Sequence, residues 1–195
     1  SFSSATLRSC TTVTIAIGQL TVELSPAPGT LTIERAGSGL LVFDNAGEDA
    51  IIESSGTGDA TVVNTAVQLA ADVTVNGRFS FFSIGEAGGS RNVTITGGDV
   101  VLVQANTYTG TTTVNDGVLE LFRDNNTIAI PGPLLIAGGI VRLRGDQQIA
   151  DASPVTVNAP GVLDLNGFRD LIGPLSGTGA VRLTDRQVAG EAVVQ

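Results

Sequence analysis

Short segments in which apolar and polar residues alternate recur along the whole chain. Thr12–Ile17 and Val73–Asn76 are examples, and Gly, Asn or Asp separates many of these segments from the next. Strict alternation is typical of a β-strand with one buried face, and the sequence lacks a sustained i, i+3, i+4, i+7 spacing of apolar residues. The pattern therefore predicts an all-β protein.

A strand of four residues, apolar at its fourth position and, except at Thr61 and Ser80, at its second, returns at spacings of roughly 18 to 22 residues. Its occurrences are Thr21–Leu24, Leu40–Phe43, Ala60–Val63, Phe79–Phe82, Val100–Val103, Val118–Leu121, Ile140–Leu143, Val162–Leu165 and Ala180–Leu183. In the C-terminal half a second strand precedes each of these, at Thr112–Val114, Leu134–Ile136 and Val155–Val157. This period predicts one parallel β-helix, or β-solenoid, over residues 1–195, with roughly nine to ten coils of about 18–22 residues.

Aligning the last four strands separates an inward column of residues from an outward one. The inward column, called here the leucine column, consists of Leu121, Leu143, Leu165 and Leu183. The outward column, called here the charge ladder, consists of Glu120, Arg142, Asp164 and Arg182 and alternates in sign. We expect the ladder to face solvent, where such pairs contribute about 0.2–1 kcal/mol each and serve mainly to fix the register.

Charge and composition exclude several classes of partner. The net charge is −9, and the ten basic residues are all Arg, scattered singly, which argues against nucleic acid and anionic membranes. No stretch reaches the roughly 18 apolar residues of a membrane-spanning helix, so we expect no membrane insertion. The single cysteine, Cys10, cannot form an intrachain disulfide.

Candidate chemistry is sparse. Without His, neither a Ser-His-Asp arrangement nor a His-based metal site can form, and we expect no cofactor and no catalytic residues. Asp44, Glu48 and Asp49 are weak candidates for a calcium site, but their spacing matches no calcium loop and a solvated loop is favoured. Arg169 and Asp170 are interpreted as an ordinary loop.

The segment NTYTGTTTVNDGVLEL, from Asn106 to Leu121, resembles the autotransporter-associated β-strand repeat, and VLDLNGFRDLIGPLSGTGAVRL, from Val162 to Leu183, resembles the portion that follows it. The family often has two glycines where this chain has Gly110 and Thr111. The resemblance divides the chain into divergent coils at 1–105, repeat-like coils at 106–183, and a further coil or terminal strand at 184–195. It implies a right-handed parallel β-helix in a large protein secreted to, or anchored at, a bacterial outer surface.

Three hypotheses about function follow from these expectations. The first is a structural or adhesive extracellular scaffold. Because neither terminus carries an obvious cap, we expect its coils to continue in the same polypeptide or to stack end to end on another subunit. The second is a carbohydrate-active β-helix enzyme using paired carboxylates, against which the aromatic content of 4% counts. The third is a passenger domain that binds surface glycans or host proteins through one exposed face.

Overall fold

The computed structural model describes residues 19–23, 32–34, 41–44, 48–55, 61–122 and 126–183. Within these ranges the chain forms strands and no helix, and so no helix that could cross a membrane. The strands are β1 (Gln19–Glu23), β2 (Thr32–Glu34), β3 (Leu41–Phe43), β4 (Ala50–Ser55), β5 (Thr61–Leu69), β6 (Val73–Asn76), β7 (Phe79–Glu86), β8 (Val93–Gly97), β9 (Asp99–Leu102), β10 (Thr112–Val114), β11 (Val118–Leu121), β12 (Leu134–Ile136), β13 (Ile140–Leu143), β14 (Val155–Val157), β15 (Val162–Asp164), β16 (Leu175–Ser176) and β17 (Ala180–Arg182).

These strands form two parallel sheets that the chain visits in turn. One sheet has eight strands in the order β1-β4-β6-β8-β10-β12-β14-β16. The other has nine strands, running β17-β15-β13-β11-β9-β7-β5-β2, with β3 also paired to β5. From β4 onward each coil gives one strand to each sheet, so the architecture is a β-solenoid, as the period predicted.

The core lies between the two sheets and is built by alternation. Strands β10 to β14 bury their first and third, or second and fourth, residues, with Val114, Leu119, Ile136, Val141 and Val157 almost completely inaccessible. A coil of about 20 residues cannot enclose these side chains alone, so each coil depends on its neighbours for burial. The core therefore continues from coil to coil along the solenoid.

The structure corrects the predicted strand columns in the N-terminal part. Thr21–Leu24 was predicted to align with the strands of the nine-stranded sheet, but β1 pairs with β4 in the eight-stranded sheet. Leu41–Phe43 pairs with Val67–Leu69, the second half of β5, because this long strand takes β2 against its first half. A coil count of nine to ten also includes residues 1–18 and 184–195, which lie outside the described ranges.

Candidate functional site

The charge ladder runs across consecutive strands of the nine-stranded sheet. The register pairs Glu120 with Arg142, Arg142 with Asp164, and Asp164 with Arg182. The Nε of Arg142 donates to Asp164 Oδ2 at 3.0 Å, and an η nitrogen of the same guanidinium lies 3.7 Å from Glu120 Oε1. One arginine thus links the carboxylates of the coils on either side of it.

The ladder is less exposed than the sequence led us to expect. The Asp164 side chain is only 8% exposed, and those of Glu120 and Arg142 are 23% and 31% exposed, while Arg182 is exposed. The cause is the turn after β15, where Asn166 and Gly167 have φ values of 49° and 76°. In this turn the Asn166 amide N–H donates to Asp164 Oδ1 at 3.0 Å, and Asn166 Nδ2 donates to the Leu143 carbonyl at 3.1 Å. The expectation of a wholly solvent-facing column is therefore wrong at Asp164.

Arg144 extends the ladder and was missed in the sequence. Its guanidinium donates to Glu120 Oε1, the same oxygen that faces Arg142. The signal was present, because Arg144 lies two residues after Arg142 and alternation sends both side chains outward. Glu120 therefore sits between two arginines.

The leucine column is buried in its first half only. Leu121 and Leu143 are completely buried, and Leu165 is half-buried against the core. Leu183 is 77% exposed, at the end of the described stack of strands. It follows β17, the last described strand, and among the described residues no further coil packs on that side.

Exposed aromatic side chains lie on the outside of the same sheet. Phe82 is 41% exposed and Phe122 is 57% exposed. The Val103 amide donates to the Phe81 carbonyl at 2.9 Å and the Phe122 amide donates to the Leu102 carbonyl at 3.0 Å, so pairing continues through these positions. Phe82, Val103 and Phe122 therefore follow one another in successive coils, a surface that the low aromatic content did not predict.

The calcium candidates do not converge in the described residues. Glu48 and Asp49 are exposed and Asp44 is half-buried. Within the described ranges no group of three or more acidic, Cys or His side chains is placed to hold a metal ion.

The residues of the repeat-like segment link coils from inside. Asn106 is 5% exposed; its Oδ1 accepts the Ile84 amide at 2.7 Å and its Nδ2 donates to the Ala129 carbonyl at 2.6 Å. One side chain thus joins the preceding coil to the following one. Tyr108 is completely buried, and this burial raises the pKa of its hydroxyl to about 12.

Glu86 fastens the turn of this segment from the preceding coil. Its Oε2 accepts the amides of Arg91 and Thr109, each at 2.9 Å, and its Oε1 accepts the Thr109 hydroxyl at 2.7 Å. Desolvation raises the pKa of Glu86, but the hydrogen bonds from Thr109 and Arg91 outweigh it, so the pKa lies below the ordinary value. Sequence reasoning had no signal for this role, because Glu86 and Thr109 are 23 residues apart.

Comparison with known proteins gives one informative similarity. The chain is 29% identical over 123 residues to the adhesin BmaC autotransporter of Brucella suis biovar 1 (strain 1330). The match covers 62% of this chain but only 3% of that adhesin. No family model matches the chain, and no solved structure matches it. Together, the β-solenoid fold and this similarity support an autotransporter-associated repeat protein in general, without singling out one repeat family.

Proposed function

We propose that the chain is a rod-forming segment of an adhesive scaffold on a bacterial outer surface, and that it has no catalytic role. The observation that carries this proposal is the continuous parallel pairing of the strands from β4 to β17, in which each coil is the template for the next. A fold of this kind extends in one direction and holds whatever it carries at a fixed distance. The similarity to an autotransporter adhesin supports the extracellular, adhesive setting.

The polar groups of the described coils support a structural role over a catalytic one. Glu86, Asn106 and Arg142 each bind groups of a neighbouring coil. Catalytic carboxylates must instead reach a substrate.

Adhesion is tested with beads coated with the purified chain and added to cultured epithelial cells. We expect more beads to bind than beads coated with a non-adhesive solenoid of similar length and charge. A Phe82→Ser, Phe122→Ser double variant provides the matched comparison, because both aromatic side chains are exposed and their loss leaves the core intact. Equal binding by the coated and control beads would contradict adhesion through this segment.

End-to-end stacking is a separable part of the proposal. Electron microscopy of the chain at rising concentration should show unbranched fibres with a repeat of about 4.8 Å along the axis, the spacing of neighbouring strands. Short rods of one length at all concentrations would instead mean that subunits do not stack. The scaffold would then depend on coils within one polypeptide.

A further inference from the structure

A carboxylate at the corner after β15 occupies a position that disfavours its charge. Asp170 Oδ2 accepts the amide of Gln148 at 2.8 Å and the amide of Ile149 at 3.1 Å. Its other oxygen, Oδ1, is buried and has no hydrogen-bond partner. A buried carboxylate oxygen without a partner is costly when charged and much less costly when the group is neutral.

The same corner fastens a short segment to the preceding coil. The Arg169 amide donates to Asp146 Oδ1 at 2.8 Å, and the Leu171 amide donates to Gln147 Oε1 at 2.8 Å. Asp170 lies between these two residues, and its side chain accepts hydrogen bonds from the preceding coil, whereas Arg169 and Leu171 donate to it. Arg169–Leu171 is therefore held to the coil below by three consecutive residues. Asp170 is the acid among them, and its buried oxygen Oδ1 has no partner to replace water when the group is charged.

Asn106, in the repeat-like segment, can be compared with Asp170. Asn106 accepts a backbone amide of the residue 22 positions before it, as Asp170 does from Gln148. The second polar atom of Asn106 is a nitrogen that donates to a carbonyl, so both polar atoms of this neutral side chain have a partner. Asp170 has an oxygen in the corresponding place, and only a proton makes that side chain neutral.

We propose that Asp170 is a proton-operated latch: as a neutral acid it holds Arg169–Leu171 against the coil that contains Gln148, and on losing its proton it releases this segment to water. The described charged groups around it include Asp146 and Asp151, which oppose its ionisation, and Arg169, its neighbour in the chain. The latch is closed in mildly acidic medium and weakens as the pH rises. Leu171, already 59% exposed, lies on the segment that is released.

The direction of the titration agrees with this geometry. Burial raises the pKa of Asp170; the hydrogen bonds from Gln148 and Ile149 lower it less, and repulsion from Asp151 and Asp146 adds to the increase. Because the pKa in the folded chain is above the unfolded value, the stabilising contribution is complete below the unfolded pKa and is lost as the pH rises through the folded pKa.

The test compares thermal unfolding of the wild-type chain and Asp170→Asn at several values between about pH 3 and about pH 7.5, a range that starts below the ordinary pKa of an aspartate carboxyl. Asparagine keeps the acceptor oxygen and cannot become charged. We expect the variant to melt about 2–4 °C above the wild type at the higher pH, the shift of a modest stabilisation in a chain of this size, and the difference to vanish at the lower pH. Glu48→Gln removes an exposed carboxylate and should leave the pH profile unchanged.

A melting difference that does not vary with pH, or a variant less stable than the wild type at the higher pH, would overturn the proposal. If Asp170→Asn does not fold, the carbon-13 shift of the Asp170 carboxyl in the wild-type chain decides the question. A titration midpoint above the ordinary range of aspartate supports the latch, and one within or below that range refutes it. Hydrogen exchange at Gln148 and Ile149, corrected for intrinsic rates, should speed up over the same pH range.

Discussion

The hydroxyl of Tyr108 lies 2.7 Å from Oγ1 of Thr112, and neither residue has any accessible surface. The two residues are four positions apart in the repeat-like segment, on either side of Gly110. Because both polar atoms are removed from water, each depends on the other for its hydrogen bond. The tyrosine therefore closes the turn from inside the solenoid and is not presented to a ligand.

Tyr108→Phe should destabilise the chain by about 1–3 kcal/mol, because it leaves the Thr112 hydroxyl buried without its partner. Adding Thr112→Val to this variant should recover part of the loss, since the second change removes the stranded hydroxyl. Urea unfolding of the four proteins of this double-mutant cycle gives the interaction energy. Additive effects of the two changes would mean that the hydrogen bond does not stabilise the turn.

Gly110→Ala should be strongly destabilising because the neighbouring coil leaves no room for a side chain. A Cβ at this position would lie 2.1 Å from the carbonyl oxygen of Arg91, which is backbone and cannot rotate away. Gly85→Ala is the matched control, because its Cβ would lie 3.0 Å from the Thr107 hydroxyl and 3.9 Å, an ordinary contact distance, from the Val67 carbonyl oxygen. Circular dichroism melting should place Gly110→Ala well below Gly85→Ala, and equal melting temperatures would contradict the close approach.

The sequence was sufficient to predict the fold, because every coil of a solenoid needs the same alternation of buried and exposed residues. Alternation at Val118–Leu121 and Ile140–Leu143 defined the inward positions, and the glycines between strands marked the turns. The N-terminal columns were less accurate because β5 is nine residues long and receives two strands, β2 and β3, from one preceding coil. A pattern built on four-residue strands does not predict a strand of this length with two partners on one side.

The links between coils were beyond the reach of sequence reasoning. Glu86, Asn106 and Asp170 each bind backbone groups more than 20 residues away, and the partner is an amide or a carbonyl that every residue possesses. No side-chain pattern marks a partner of this kind. Asp170 was accordingly interpreted as an ordinary loop residue, although its carboxylate lies against the backbone of the preceding coil.

Arg142→Ala should cost about 1.5–3 kcal/mol, because Asp164 is nearly buried and would lose a charge-assisted hydrogen bond. Arg78→Ala is the comparison within the same sheet. Arg78 lies 3.4 Å from Asp99, but these side chains are 47% and 56% exposed, so its loss should cost about 0–1 kcal/mol. Denaturant unfolding at low and high salt should show a salt-dependent loss for the Arg78 variant and a loss largely insensitive to salt for the Arg142 variant.

The leucine column offers the same substitution in two opposite environments. Leu143→Asp places a carboxylate among completely buried side chains and should destabilise the chain by more than about 4 kcal/mol, unfolding the coils of β11, β13 and β15 together. Leu183→Asp alters a side chain that is 77% exposed and should change stability by no more than about 0.5 kcal/mol. Hydrogen exchange shows which coils unfold. The amides of β11 to β15 should lose protection in Leu143→Asp and keep it in Leu183→Asp. A Leu143→Asp chain with wild-type protection would mean that this column does not hold the coils together, and the continuity of the core would then have to come from the backbone ladders alone.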